Sequence, residues 1–442
     1  MNGEKLAVGE AETNAVLRKI SGRLLPILFV SYFFAFLDRI NVGYAQLQMK
    51  AELGFSDAVY GLGAGIFFIS YLLFEVPSNL WLQRIGARLT LLRIMLLWGV
   101  TSAATMLVRT PTEFYIVRFL LGAFEAGFFP GIILYLTYWF PSTYRASVTG
   151  KFMFAVPMAG MVGGPVSGLI MGSMQGVAGL SGWEWLFVIE ALPTLVLGVI
   201  CFVYLDNKPA DADWLTQREK DVVQAALDRD HAGEAEMHGT KNSSITAALF
   251  DARVWLLALI YFATACANYT YTFWIPTIIK SLGVSDVASI GWLSAIPYAF
   301  AAAGVLVITA SSDRLKERRW HVGGTLILAA IGLAFSTTLQ SSLTLSLLVL
   351  SAVAFVQFGA AITFWAIPPT YLSRETAAVG IGLVSSIGVV GGFVSPALLG
   401  YIKNETGSLA YGIYFIAAVM VVGGLLTLYA LPKQATRVVR AD

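Results

Sequence analysis

The feature that most constrains this chain is a series of apolar runs, each about 20 residues long, that recurs twelve times between charges and turn residues. A hydrocarbon layer about 30 Å thick is crossed by roughly 20 residues of helix, and lipid offers the backbone no hydrogen-bond partner, so such runs must be helical. They fall at residues 24–45, 58–81, 89–108, 113–136, 148–173, 184–205, 254–280, 289–311, 322–339, 343–367, 378–402 and 410–430. The fold class that follows is an all-α integral membrane protein. Composition agrees, since only 13% of the residues are charged and 57% are hydrophobic. A soluble core of this size needs far more polar cover. The net charge of +2 argues against a nucleic-acid partner.

The runs divide six and six. Residues 1–23 read as a polar leader, 24–205 as an N-terminal six-helix bundle, 206–253 as a charged linker with an amphipathic surface helix, 254–430 as a second six-helix bundle, and 431–442 as a tail. No cleavable signal peptide is expected, because the first apolar run starts late and is long enough to span. With the leader inside, the interior loops hold Arg84, Arg88, Arg145, Lys151, Arg314, Lys316, Arg318, Arg319 and Arg374, while the outer loops keep only Lys50, Arg109, Lys280 and Lys403. That asymmetry places both termini in the cytoplasm, and a bacterial inner membrane is the expected location. Cys201 and Cys266 lie in separate apolar runs and read as small core residues, not as a disulfide.

The two halves repeat. GGPVSGLIMG at 163–172 in span 5 resembles GGFVSPALLG at 391–400 in span 11, and LQRIGAR at 82–88 is placed like SDRLKERR at 312–319. Paired halves of this kind serve alternating access, with a site between the bundles near mid-membrane. The small residues of spans 5 and 11 permit close helix approach.

An ionised side chain at the centre of a span costs roughly 2.5–3.5 kcal/mol on the insertion scale, so each one needs a reason. Spans 7 to 12 carry none in their interiors, whereas span 1 carries Asp38 and Arg39 and span 4 carries Arg118 and Glu125. Glu75 and Glu190 lie in spans 2 and 6. Arg118 and Glu125 are seven residues apart, which puts them on one helix face about 10.5 Å apart. Similar depths in antiparallel spans make an Asp38 to Arg118 pair geometrically plausible, with Arg39 turned to the bundle axis. The carboxylates Asp38 and Glu125 suit proton binding, because a buried acid with alternating partners is a proton switch. Arg39 and Arg118 suit a carboxylate substrate, which the guanidinium fork matches. Glu75 reads as satisfying loop donors near the inner end of span 2.

At these residues the sequence resembles the major facilitator superfamily, and within it the anion:cation symporter family of bacterial organic-acid importers. The likeness is carried by RLLPILFVSYFFAFLDRINVGYA in span 1, FEVPSNLWLQRIGAR across span 2 and its loop, RFLLGAFEAGFFPGIILYLTYWFP in span 4 and GWEWLFVIEALPT entering span 6. It implies two pseudo-symmetric six-helix bundles, Asp38 and Glu125 as the protonatable pair, Arg39 and Arg118 as anion-binding arginines, and Tyr71 as a cavity tyrosine. It also implies a cytoplasmic gate at Arg84, Gly86 and Arg88, with Asp313 and Arg314 in the second loop. Gln83 stands where most of the superfamily has Asp. Span 11 departs from the family, with Ser385 and Val389 where many members carry asparagine. Span 5 offers Val156 and Pro157. Further candidates for substrate contact are Asn268, Tyr269, Tyr271 and Trp274 in span 7, and Gln357, Phe364 and Trp365 in span 10.

These readings predict a proton-coupled importer of an organic anion, a compact hydroxy-dicarboxylate such as tartrate or an aromatic carboxylate rather than a long sugar acid. No cofactor, metal or catalytic residue is expected, and the chain is expected to work as a monomer in the bilayer. A membrane enzyme fits poorly, because His231, His238 and His321 sit in loops or at span ends and no phosphate loop or GxSxG is present. A passive anion channel or a sensor would share the fold and differ in failing to concentrate substrate.

Overall fold

The computed structural model describes residues 9–238, 245–372 and 377–432, so Arg374 and the end of the tail lie outside the described residues. Eleven helices are long and apolar enough to cross a membrane, and a twelfth apolar helix, Trp320–Ser336, is shorter. Spans 1 to 6 are Glu10–Leu53, Asp57–Ile85, Ala87–Leu107, Pro111–Thr137, Ser142–Ser173 and Gly182–Tyr204. Spans 7 to 12 are Ala252–Ser281, Val287–Leu315, Trp320–Ser336, Leu343–Phe364, Val379–Thr406 and Ala410–Ala430. Every expected run has its helix, and the helices of spans 1, 2, 4, 7 and 8 overrun their apolar runs at both ends because polar turns extend them. The leader is the clearest case: from Glu10 onward it forms the first turns of the span 1 helix.

Local chemistry sets the boundaries. Span 4 opens on a capping box, in which the Thr110 hydroxyl accepts from the Glu113 amide at 3.3 Å, with Pro111 at the first helical position. Ser181 and Glu184 start span 6 in the same way. Span 4 then breaks immediately after Glu125: Ala126 turns extended, Gly127 takes φ +88°, and the helix resumes at Phe128. A Cβ at Gly127 would stand 2.4 Å from the Ser78 hydroxyl, so both the turn and the close approach require glycine. Such a break is tolerated at membrane depth only where protein covers it, and Ala126 is fully buried.

Spans 1 to 6 pack mainly on one another, as do spans 7 to 12. The two bundles meet along two glycine seams at the end remote from the chain termini. Span 2 crosses span 11 where a Cβ on Gly61 would lie 2.3 Å from the Pro396 carbonyl and 2.9 Å from Gly400. Span 5 crosses span 8 where a Cβ on Gly164 would lie 2.6 Å from the Gly291 carbonyl. These are the two repeated stretches of spans 5 and 11, and the absent side chains let backbones touch. Span 1 meets span 7 between the seams, with the Gln46 amide and the Tyr60 hydroxyl both donating to the Phe273 carbonyl at 3.2 and 2.9 Å. Lys50 and Lys403 converge on Asp57 at the rim.

The linker helix, Gln217–His238, lies along the opposite end with Val222, Val223 and Leu227 buried beneath it. It is tied to span 1 by Lys19 to Glu219 at 2.8 Å and Arg218 to Glu12 at 2.9 Å, and to span 5 by Arg145 to Asp230 at 3.5 Å. This is the expected amphipathic surface helix.

Candidate functional site

The charged residues of spans 1 and 4 form two separate clusters, not one. In the first, Arg39 donates to Glu125 across the gap between spans 1 and 4, both buried. The Arg39 guanidinium also lies 5.3 Å from the ring centre of Phe67 and 5.5 Å from that of Tyr71. Arg118 sits on the same Phe67 ring at 5.0 Å and donates its Nε to the Gly63 carbonyl at 3.2 Å. Three polar atoms here have no partner among the described residues: Arg39 Nε, Arg118 Nη2 and Glu125 Oε2. Buried polar atoms are normally paired, so a site holding three open ones has unused binding capacity.

In the second cluster Asp38 turns away from span 4. Its Oδ2 accepts from the Trp98 indole at 2.9 Å and the Thr194 hydroxyl at 3.1 Å, and its Oδ1 accepts from the Ser102 hydroxyl at 3.1 Å. Spans 3 and 6 therefore answer Asp38, and the expected Asp38 to Arg118 pair does not form. The reason is rotational: adjacent residues diverge by about 100° around a helix, and Arg39, not Asp38, faces span 4. Glu190 belongs to this second region, accepting from Ser167 of span 5 at 2.8 Å while its Oε2 has no partner.

Beside the first cluster lies a cavity between the bundles with two lobes of about 140 and 120 Å³. Arg39, Tyr32, Met153, Tyr261, Tyr269 and Trp365 face both lobes. Asn268, Val156 and Pro157 line the first, where Asn268 accepts from Gln357 at 3.2 Å. Tyr71, Glu75, Ser385 and Val389 line the second. Aromatic pairs stiffen the walls, Tyr269 against Phe68 at 4.3 Å and Tyr261 against Trp365 at 4.6 Å between ring centres.

The structure thus brings Arg39, Tyr71, Asn268, Tyr269, Trp365 and Ser385 to one cavity, whereas Asp38, Arg118 and Glu125 do not line it. Four other candidates also lie off its walls. Trp274 packs on Tyr60 near the remote rim, Tyr271 donates to the Leu350 carbonyl at 3.3 Å, Phe364 stacks behind Tyr261, and Gln357 is held behind Asn268. Glu75 was expected to satisfy loop donors. Instead it lines the cavity and, among the described residues, makes no hydrogen bond or ion pair. Tyr32 and Tyr261 were missed, since a lone tyrosine in an apolar run reads as packing.

At the loop between spans 2 and 3, Gly86 takes φ +86° and the Arg88 amide donates to Asn207 at 3.1 Å, while Arg88 Nε donates to the Phe202 carbonyl at 2.9 Å. Arg84 is exposed beside it. In the second loop Asp313 faces Arg318 at 3.7 Å, and Arg314 is exposed.

Residues 28–396 match the family model described as Major Facilitator Superfamily. The chain belongs to the major facilitator superfamily. It is therefore a multi-pass membrane transporter of the secondary class, not an enzyme, and the resemblance read from spans 1, 2, 4 and 6 is borne out. Among curated members of the superfamily, it is 46% identical over 416 residues to an Agrobacterium vitis protein named as a candidate tartrate transporter, covering 93% of this chain and 90% of that one. It is 44% identical over 423 residues to NicT of Pseudomonas putida, named as a candidate metabolite transport protein, covering 96% and 95%. Its fold matches the xylose transporter XylE from E. coli, described in a partially occluded inward open conformation, with a TM-score of 0.69 over 95% of this chain and 99% of that one at 13% identity.

Proposed function

We propose that this transporter carries a small organic anion into the cell together with protons, and that the Arg39 to Glu125 pair, of which Arg39 lines the cavity and Glu125 lies behind it, is the coupling device. That pair is the observation on which the reading rests. While Glu125 is ionised it occupies Arg39. Protonating Glu125 from outside neutralises it and frees the guanidinium, and the substrate carboxylate then takes its place. Rocking of the bundles about the glycine seams turns the cavity inward. Loss of the proton inside restores the Arg39 to Glu125 pair and expels the anion. Asp38, held by neutral donors, serves as the second proton acceptor, and more than one proton per monoanion would make transport electrogenic. With the termini cytoplasmic, as the loop charges favour, the seams close the outer end and the loops bearing Arg84, Gly86, Arg88, Asp313 and Arg314 form the inner gate.

The name of the Agrobacterium vitis relative favours an organic acid, tartrate. Val156, Pro157 and Val389 offer no hydrogen bonds to a polyol, which supports a compact hydroxy-dicarboxylate or an aromatic carboxylate over a sugar acid. Proteoliposomes test the cycle. Glu125→Gln is expected to lose accumulation driven by a pH gradient while still exchanging labelled substrate for unlabelled. Accumulation by that variant under the gradient would overturn the coupling role.

A further inference from the structure

The cavity carries a charged group that the proton cycle leaves unused. Glu75 lies on span 2 four residues beyond Tyr71, half-buried in the wall of the second lobe. Tyr71 stands beside the Arg39 guanidinium, so Glu75 lies about one helical turn, roughly 6 Å, nearer the chain-termini end than Arg39. The cavity therefore presents a cation and an anion along its length, in a lobe that Tyr71, Tyr261, Tyr269 and Trp365 also line. A carboxylate in such a wall that has no partner among the described residues is costly unless a ligand answers it. A second carboxylate on the substrate would be repelled there, whereas a cationic nitrogen would be paired and would also gain from the ring faces.

We propose, resting on the carboxylate-binding role of Arg39 above, that in place of a simple anion the cavity selects an aromatic zwitterion: a ring whose carboxylate meets Arg39 and whose cationic nitrogen, on the far side of the ring, meets Glu75. This narrows the two substrate classes to the aromatic one and makes Glu75 a specificity-determining residue, outside the coupling machinery.

Binding to the purified full-length protein tests it, with N-methylpyridinium-4-carboxylate, benzoate and tartrate as probes. The wild type is expected to bind the zwitterion about tenfold more tightly than benzoate, a difference of about 1.4 kcal/mol. Glu75→Gln should abolish that preference and strengthen benzoate binding, a gain that misfolding cannot produce, and Glu75→Asp should keep the preference. The proposal is overturned if the wild type treats the zwitterion and benzoate alike, if tartrate binds most tightly, or if Glu75→Gln weakens both monocarboxylates equally. A wild type that binds none of the three overturns the organic-anion reading itself.

Discussion

A charge inside a membrane span persists only where neighbours answer it, and Asp38 and Arg39 show how neighbouring positions receive opposite answers. Asp38 is met by an indole and two hydroxyls, and Arg39 by a carboxylate. Truncating Asp38 to alanine orphans three buried donors, each costing about 1–3 kcal/mol, so Asp38→Ala should melt well below wild type in detergent. Asp38→Asn keeps an acceptor and should fall less; equal melting of wild type and Asp38→Ala would refute the network. The charges themselves were legible in the sequence, because charge in an apolar run is rare and expensive. Their partners were not. Trp98, Ser102 and Thr194 are unremarkable residues in apolar runs, and only the rotation of span 1 relative to its neighbours decides that Asp38 faces them and not Arg118.

Among the elements, the closed end is made by four helices that touch through glycine. A side chain at Gly61 would meet the backbone of span 11 at 2.3 Å, closer than any rearrangement of side chains can relieve. Gly61→Val should therefore wedge that seam open. A cysteine introduced at Thr277, buried in span 7 at the same end, should then react faster with a membrane-impermeant maleimide than in the Gly61 background; unchanged labelling would mean the seam does not close that end. Span 4 makes the complementary point. Its break after Glu125 depends on Gly127 at φ +88°, where an L side chain is strained by about 1–2 kcal/mol before the clash with Ser78 is counted. Gly127→Ala is thus expected to lower the melting temperature and to displace Glu125 from Arg39, slowing coupled uptake more than exchange. The glycines were visible beforehand as a repeat, and their use as seams follows from which spans the fold sets side by side.

For the whole molecule, the linker helix is held to the first six-helix bundle through charge. The Lys19 amine, followed by the Thr216 amide, holds Glu219 below the usual carboxylate range. A depressed carboxylate lends stability that is fully present above its unfolded value of about 4.3 and is lost as pH falls through its folded value, so the linker should stay docked across the pH range of transport. Limited proteolysis of the linker is expected to be unchanged between neutral and mildly acidic pH and to quicken only below about pH 4. Cleavage that rises in mild acid would contradict this assignment. The pH dependence of uptake is then left to the groups inside the bundles.

The number of spans, their division into two repeated halves and the confinement of buried charge to the first half are set by the sequence alone, because the cost of polar groups in lipid applies residue by residue. Which charges face each other, which tyrosines line the cavity and whether Glu75 has a partner are decided by tertiary structure. Those outcomes depend on the rotation and depth of one helix against another, and a few tens of degrees about a helix axis redirect a side chain while leaving its hydropathy unchanged.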